Sequence, residues 1–131
     1  MSDKKIHFVS SDNKTAKEAK DNLVKRYNNY PASDADVIVA LGGDGLMLQT
    51  LHDNINEAKP IFGINRGSVG FLMNDFSEED LLERIASATL TKVYPLQMTV
   101  KTEKDEINAK AINEVSLLRQ TYQAAKIKIK I

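Results

Sequence analysis

The chain opens on short apolar runs separated by amphipathic stretches. Ile6-His7-Phe8-Val9-Ser10 is apolar and ends in a small polar residue, which predicts a buried first strand. Ala16, Ala19, Leu23, Val24 and Tyr27 then recur at helical spacing, predicting a helix over about residues 14–28. Asn28-Asn29-Tyr30-Pro31 breaks it. Val37-Ile38-Val39-Ala40-Leu41 is β-branched and uncharged, as expected of a central parallel strand covered on both faces. It stops at Gly42-Gly43-Asp44-Gly45. A helix is predicted from Leu46 to about Ile55, with Met47 and Leu51 on one face. Pro60-Ile61-Phe62-Gly63-Ile64 reads as a third strand that runs into a second glycine-rich loop. Ser77-Glu78-Glu79-Asp80 predicts a helix start, with a Ser cap and acids in the first turn. Leu81, Leu82 and Ile85 supply that helix's apolar stripe.

From Thr91 the period shortens from 3.6 to two. Leu96, Met98 and Val100 alternate with Gln97, Thr99 and Lys101, and Asp105-Glu106 can turn the chain. Ile107 to Leu118 reads as a second extended stretch. Lys126-Ile127-Lys128-Ile129-Lys130-Ile131 is a strict alternation that predicts an edge strand with three isoleucines on one face. The expected organisation is therefore an α/β domain over residues 1–90, then the beginning of an antiparallel β domain over 91–131.

Gly42-Gly43-Asp44-Gly45 falls between a buried strand and a helix, where open α/β sheets bind ligands. Glycines there permit positive φ and let a phosphate approach backbone N–H groups. The following helix would aim its positive end at an anion. A carboxylate in that loop would repel phosphate, so it would instead face Mg²⁺ or a hydroxyl that attacks the phosphate. Loop chemistry alone therefore suggests phosphoryl transfer to an alcohol. Taken alone, the four residues fit a structural turn with an Asp cap equally well. The chain has no G-x-x-x-x-G-K-[ST] and no G-x-G-x-x-G, which excludes a Walker loop and leaves an ordinary dinucleotide fold unsupported.

Val37 to Gly45 resembles the glycine-rich motif of NAD kinases, a motif shared in related form by diacylglycerol-type lipid kinases and phosphofructokinases. Gly63-Ile64-Asn65-Arg66-Gly67-Ser68-Val69-Gly70-Phe71-Leu72 is similar to the NAD kinase segment ending in Gly-Phe-Leu. Ala111-Ile112-Asn113-Glu114-Val115 is similar to that family's Asn-Glu motif, expected on a strand of the second domain. Three motifs in order narrow the resemblance to the bacterial type of NAD kinase, and it covers essentially the whole chain. It implies a Rossmann-like, phosphofructokinase-like α/β domain followed by an antiparallel β domain.

The resemblance also implies a reaction. NAD kinases move the terminal phosphoryl of ATP, or in some members of inorganic polyphosphate, to the 2′-hydroxyl of the adenosine ribose of NAD, giving NADP. Asp44 would accept that hydroxyl's proton. Gly42, Gly43 and Gly45 would leave room for phosphates, and Mg²⁺ would offset their charge. Asn113 and Glu114 would contact NAD, since a carboxylate accepts from ribose hydroxyls and an amide both donates and accepts. Phe71 would lie beside the adenine, with a core position as the alternative. Leu48 would line the same pocket, or pack in the core. Arg66 is a candidate phosphate neutraliser or a surface residue. His52 reads as a helix-surface residue and His7 as structural.

Composition narrows the classes. The 131 residues hold no cysteine, which excludes disulfides, thiolate zinc sites and cysteine nucleophiles. Eighteen basic residues balance eighteen acidic ones, so no basic excess marks a nucleic-acid partner. No apolar run approaches the roughly 18 residues that span a bilayer. A cytoplasmic location is the expectation from composition, while the resemblance implies small-molecule substrates and a homo-oligomer (dimer or tetramer) in the full-length protein. The family's later motif, rich in Gly, Ser, Thr and Ala before a Tyr, is missing, so the chain is expected to be a fragment. A lipid or sugar kinase of the same superfamily, or a non-catalytic nucleotide-binding module, remains the alternative.

Overall fold

The computed structural model describes residues 4–68 and 70–131; residues 1–3 and 69 lie outside it. Three parallel strands, β1 (Ile6–Ser10), β2 (Val37–Gly42) and β3 (Ile61–Asn65), form a sheet in the order β1-β2-β3. Helix α1 (Lys14–Tyr27) connects the first two and packs on both; α2 (Asp44–Asp53) does the same for β2 and β3. Helix α3 (Leu81–Ser87) follows, then an antiparallel hairpin of β4 (Leu96–Lys101) and β5 (Glu106–Ala111). The chain is thus mixed α/β, with one parallel and one antiparallel sheet. Among the described residues no helix is long and apolar enough to cross a membrane.

Strand β2 is buried along its whole length, because helices cover both faces of the sheet. Ile6, Phe8, Val37, Val39, Leu41, Phe62 and Ile64 share a core with Ala19 and Leu23 of α1 and Leu81 of α3. Ile38 and Ala40 are also fully buried, alternating along β2 with that set. Ala40 pairs with Gly63, whose missing side chain makes room for Met47 of α2 and for Met73. Each large side chain buried in such a core contributes about 1.5–3 kcal/mol.

Local chemistry sets the helix ends. Asn13 caps α1 by accepting the Ala16 N–H at 2.8 Å, and Lys25 and Arg26 sit in its last turn, where the dipole favours cations. Asn28 takes φ 60° at its end. The chain then folds back along β1: Tyr30 N–H donates to the Ile6 carbonyl, and Asn29 Oδ1 accepts from Phe8 N–H, both at 2.9 Å. His7 Nδ1 lies 2.7 Å from the Tyr30 carbonyl, so His7 is structural.

Four expectations need correction. Helix α2 begins at Asp44 rather than Leu46, which puts the loop carboxylate inside its first turn. Helix α3 begins at Leu81, not after Ser77. The Ser77 hydroxyl closes a local turn by accepting the Glu79 N–H, and Asp80 sits at φ 52°, so the helix starts only beyond it. Glu78 instead bonds Asn22 of α1. The extended stretch from Ile107 stops at Ala111, and residues 126–131 form no strand. A strand requires a partner for its N–H and C=O groups, and among the described residues neither segment has one.

Candidate active site

The two glycine-rich segments meet beyond the carboxyl ends of β2 and β3. The Arg66 N–H donates to the Gly42 carbonyl at 2.8 Å. The Phe71 and Leu72 N–H groups donate to the Asp44 carboxylate, one to each oxygen, at 2.9 and 3.0 Å. Stabilising the ionised form, these two amides hold the Asp44 carboxyl below the usual carboxylate range. Asp44 is therefore ionised near neutrality and is a weak base, suited to orienting a hydroxyl and taking its proton late.

Glycine works here by space rather than by backbone freedom. Among the described residues no glycine has a positive φ, contrary to expectation. Gly42 is buried, and a Cβ on it would press on Ser11 Oγ and lie 2.8 Å from Leu46 Cδ2. Gly43 and Gly45 face open space, with nothing within 4 Å of where a Cβ would be. Gly43 precedes α2 with extended backbone and no side-chain cap. The first N–H groups of α2 thus lack a capping side chain beside an open surface, a setting that favours an anion.

A cleft of about 330 Å³ lies next to this loop, lined by Gly45, Leu48, Gln49 and His52 of α2 and by residues 110–114. Leu48, Asn113 and Glu114 are thereby brought together in one cleft. Asn113 and Glu114 lie just past the end of β5 rather than on a strand. Phe71 is 95% exposed, so it packs in no core among the described residues. Arg66 stacks its guanidinium on Phe76 at 3.8 Å.

Gln49, His52 and Lys110 were missed as cleft residues. For the first two a signal existed: positions 45, 48, 49 and 52 follow i, i+3, i+4, i+7 on one helix face. Lys110 carried none, since only the fold brings the end of β5 to the same cleft as α2. Among the described residues no group of three or more His, Asp or Glu clusters as a cation site, and both Asp44 oxygens already accept N–H groups. These residues do not build a Mg²⁺ site of their own.

The family model for the ATP-NAD kinase N-terminal domain matches residues 1–94. The chain belongs to the NAD kinase family. It is 57% identical over 127 residues to the NAD kinase of Brucella suis biovar 1 (strain 1330), covering 96% of this chain and 49% of that protein. It is 51% identical over 128 residues to the NAD kinase of Caulobacter vibrioides, covering 97% and 49% respectively. The NAD kinase of Cereibacter sphaeroides (strain ATCC 17023) is 48% identical over 132 residues, with 100% of this chain and 52% of that protein covered. The chain spans about half the length of the curated relatives it matches.

Proposed function

We propose that the protein carrying this chain is an NAD kinase. It transfers a phosphoryl group from ATP or inorganic polyphosphate to the 2′-hydroxyl of the adenosine ribose of NAD, giving NADP. One observation supports this above the others. A carboxylate held ionised by two backbone amides stands where two glycine-rich loops cross, one residue from a cleft lined by Leu48, Asn113 and Glu114. Asp44 orients the attacking hydroxyl. As the O2′–P bond forms and the donor's bridging P–O bond breaks, the hydroxyl proton passes to Asp44. A weak base suffices, because phosphoryl-transfer transition states are loose and rest on positioning and charge stabilisation.

Gly43 and Gly45 leave the approach to the α2 N-terminus clear for phosphates, while Gly42 makes room for Ser11 and Leu46 beneath them. Leu48 and the exposed ring of Phe71 give the adenine apolar contacts, and Asn113 and Glu114 take the ribose hydroxyls. Mg²⁺ would arrive with the donor's phosphates. The parallel sheet supports a Rossmann-like, phosphofructokinase-like domain over residues 1–90, with an antiparallel β domain opening at 91. The same reading has the protein work in the cytoplasm, as a homo-oligomer, on free nucleotides.

In the complete natural protein, Asp44→Ala is expected to lower NADP formation by roughly 10²–10⁴-fold with the circular dichroism spectrum unchanged. Near-parental activity would sink the role of Asp44. Phosphorylation of a lipid or a sugar, but not of NAD, would move the protein to another branch of the superfamily. Exchanging ATP for polyphosphate identifies the donor.

A further inference from the structure

The loop that reaches Asp44 is pinned at both ends. Upstream, Arg66 is tied to Gly42, and the Gly67 N–H donates to Asn65 Oδ1 at 3.0 Å. Downstream, Asn74 returns to the β3 edge: its N–H donates to the Gly63 carbonyl at 2.9 Å, and its own carbonyl accepts from Asn65 N–H at 2.8 Å. Between these anchors, Gly70 passes over the Asp44 side chain. A Cβ at Gly70 would lie 2.6 Å from Asp44 Oδ1, 3.1 Å from Cγ and 3.4 Å from Oδ2. All three nearest atoms belong to one carboxylate. Gly70 does not have a positive φ, so glycine is required there for room alone.

We propose that Gly70 is a positioning residue for Asp44: its missing side chain leaves the carboxylate the one orientation that both the Phe71 and Leu72 amides reach. With the loop pinned, a methyl group at position 70 must be relieved by rotation of the carboxylate, which breaks those bonds. The charged or titratable groups carried by the surrounding elements are Arg66 and Asp75 on the same excursion, His52 and Asp53 further along α2, and Lys110 and Glu114 across the cleft. Among the described residues none of these hydrogen-bonds or ion-pairs with Asp44, and its lowered pKa traces to the two amides.

The inference uses the proposed role of Asp44 for its kinetic arm and geometry alone for the rest. The test compares the complete natural protein with Gly70→Ala, Asp44→Ala and the double variant. Gly70→Ala should lower Tm in the parent but cost little in Asp44→Ala, where the clashing carboxylate is gone. In Gly70→Ala the Asp44 carboxyl, followed by carbon-13 NMR, should titrate at higher pH. The acid limb of kcat should move upward with it, and kcat should fall by about 10²-fold with KM for ATP unchanged. Gly67→Ala is the control: its Cβ would sit 3.5 Å from Gly43 N, an ordinary contact, and the Asp44 titration should stay put.

An equal Tm loss in both backgrounds, or an Asp44 titration unmoved by Gly70→Ala, overturns the proposal. Should Gly70→Ala fail to fold, the double variant decides: folding restored supports the proposal, and folding still lost overturns it. If the Tm and titration results come out as expected in a protein that phosphorylates no NAD, the positioning role stands and the proposed reaction falls.

Discussion

Strands β2 and β4 are each six residues long, yet their surroundings are opposite. Every residue of β2 is buried, whereas in β4 Met98 alone is even half-buried. The parallel strands have a helix layer on each face, so Val, Ile and Leu leave water on both sides. The hairpin is held by its ladder, by the turn in which Thr102 N–H donates to the Asp105 carbonyl, and by the Lys101–Glu106 ion pair. Leu96, Val100 and Ile107 remain exposed. An alternating pattern names the face a strand offers; only a second layer supplies the burial that makes the offer stabilising.

The largest test of this contrast is Phe8→Ala. Phe8 is fully buried, so its loss should cost about 3–5 kcal/mol in urea unfolding, transfer and cavity terms together. Ile107→Ala in the hairpin should cost under about 1 kcal/mol in the same measurement, because its side chain is 54% exposed. A cost matching that of Phe8→Ala would mean that the natural protein covers this face, and the contrast would vanish. The smallest effect belongs to Lys101→Met. It removes a 3.4 Å ion pair between exposed side chains and should change stability by less than about 0.5 kcal/mol, with salt dependence to match.

The same contrast marks how far the sequence could be read. The parallel strands and α1 were legible to within a residue or two, because their apolar periods coincide with real burial. Helix α3 was misread at its start, since Ser77 serves equally as a cap or as a local turn and only Asp80's positive φ separates the two. The isoleucines of 126–131 carried a strand pattern that finds no partner among the described residues. At the site, Gly42-Gly43-Asp44-Gly45 was visible as a strand-to-helix loop, but its glycines were assigned to positive φ that the backbone does not use.

By itself the sequence determined which segments could be buried strands and helices, where a carboxylate would stand at a helix start, and which kinase family the motifs resemble. Those are local properties: side-chain period, capping chemistry and residue order. Tertiary structure alone decided that the amides of Phe71 and Leu72 close on Asp44, twenty-seven and twenty-eight residues away in the chain. It alone set Gly70 against that carboxylate and brought Lys110 to the cleft that Leu48, His52 and Glu114 also line. Such contacts depend on strand order and loop path, which place distant residues together through packing that no local pattern encodes.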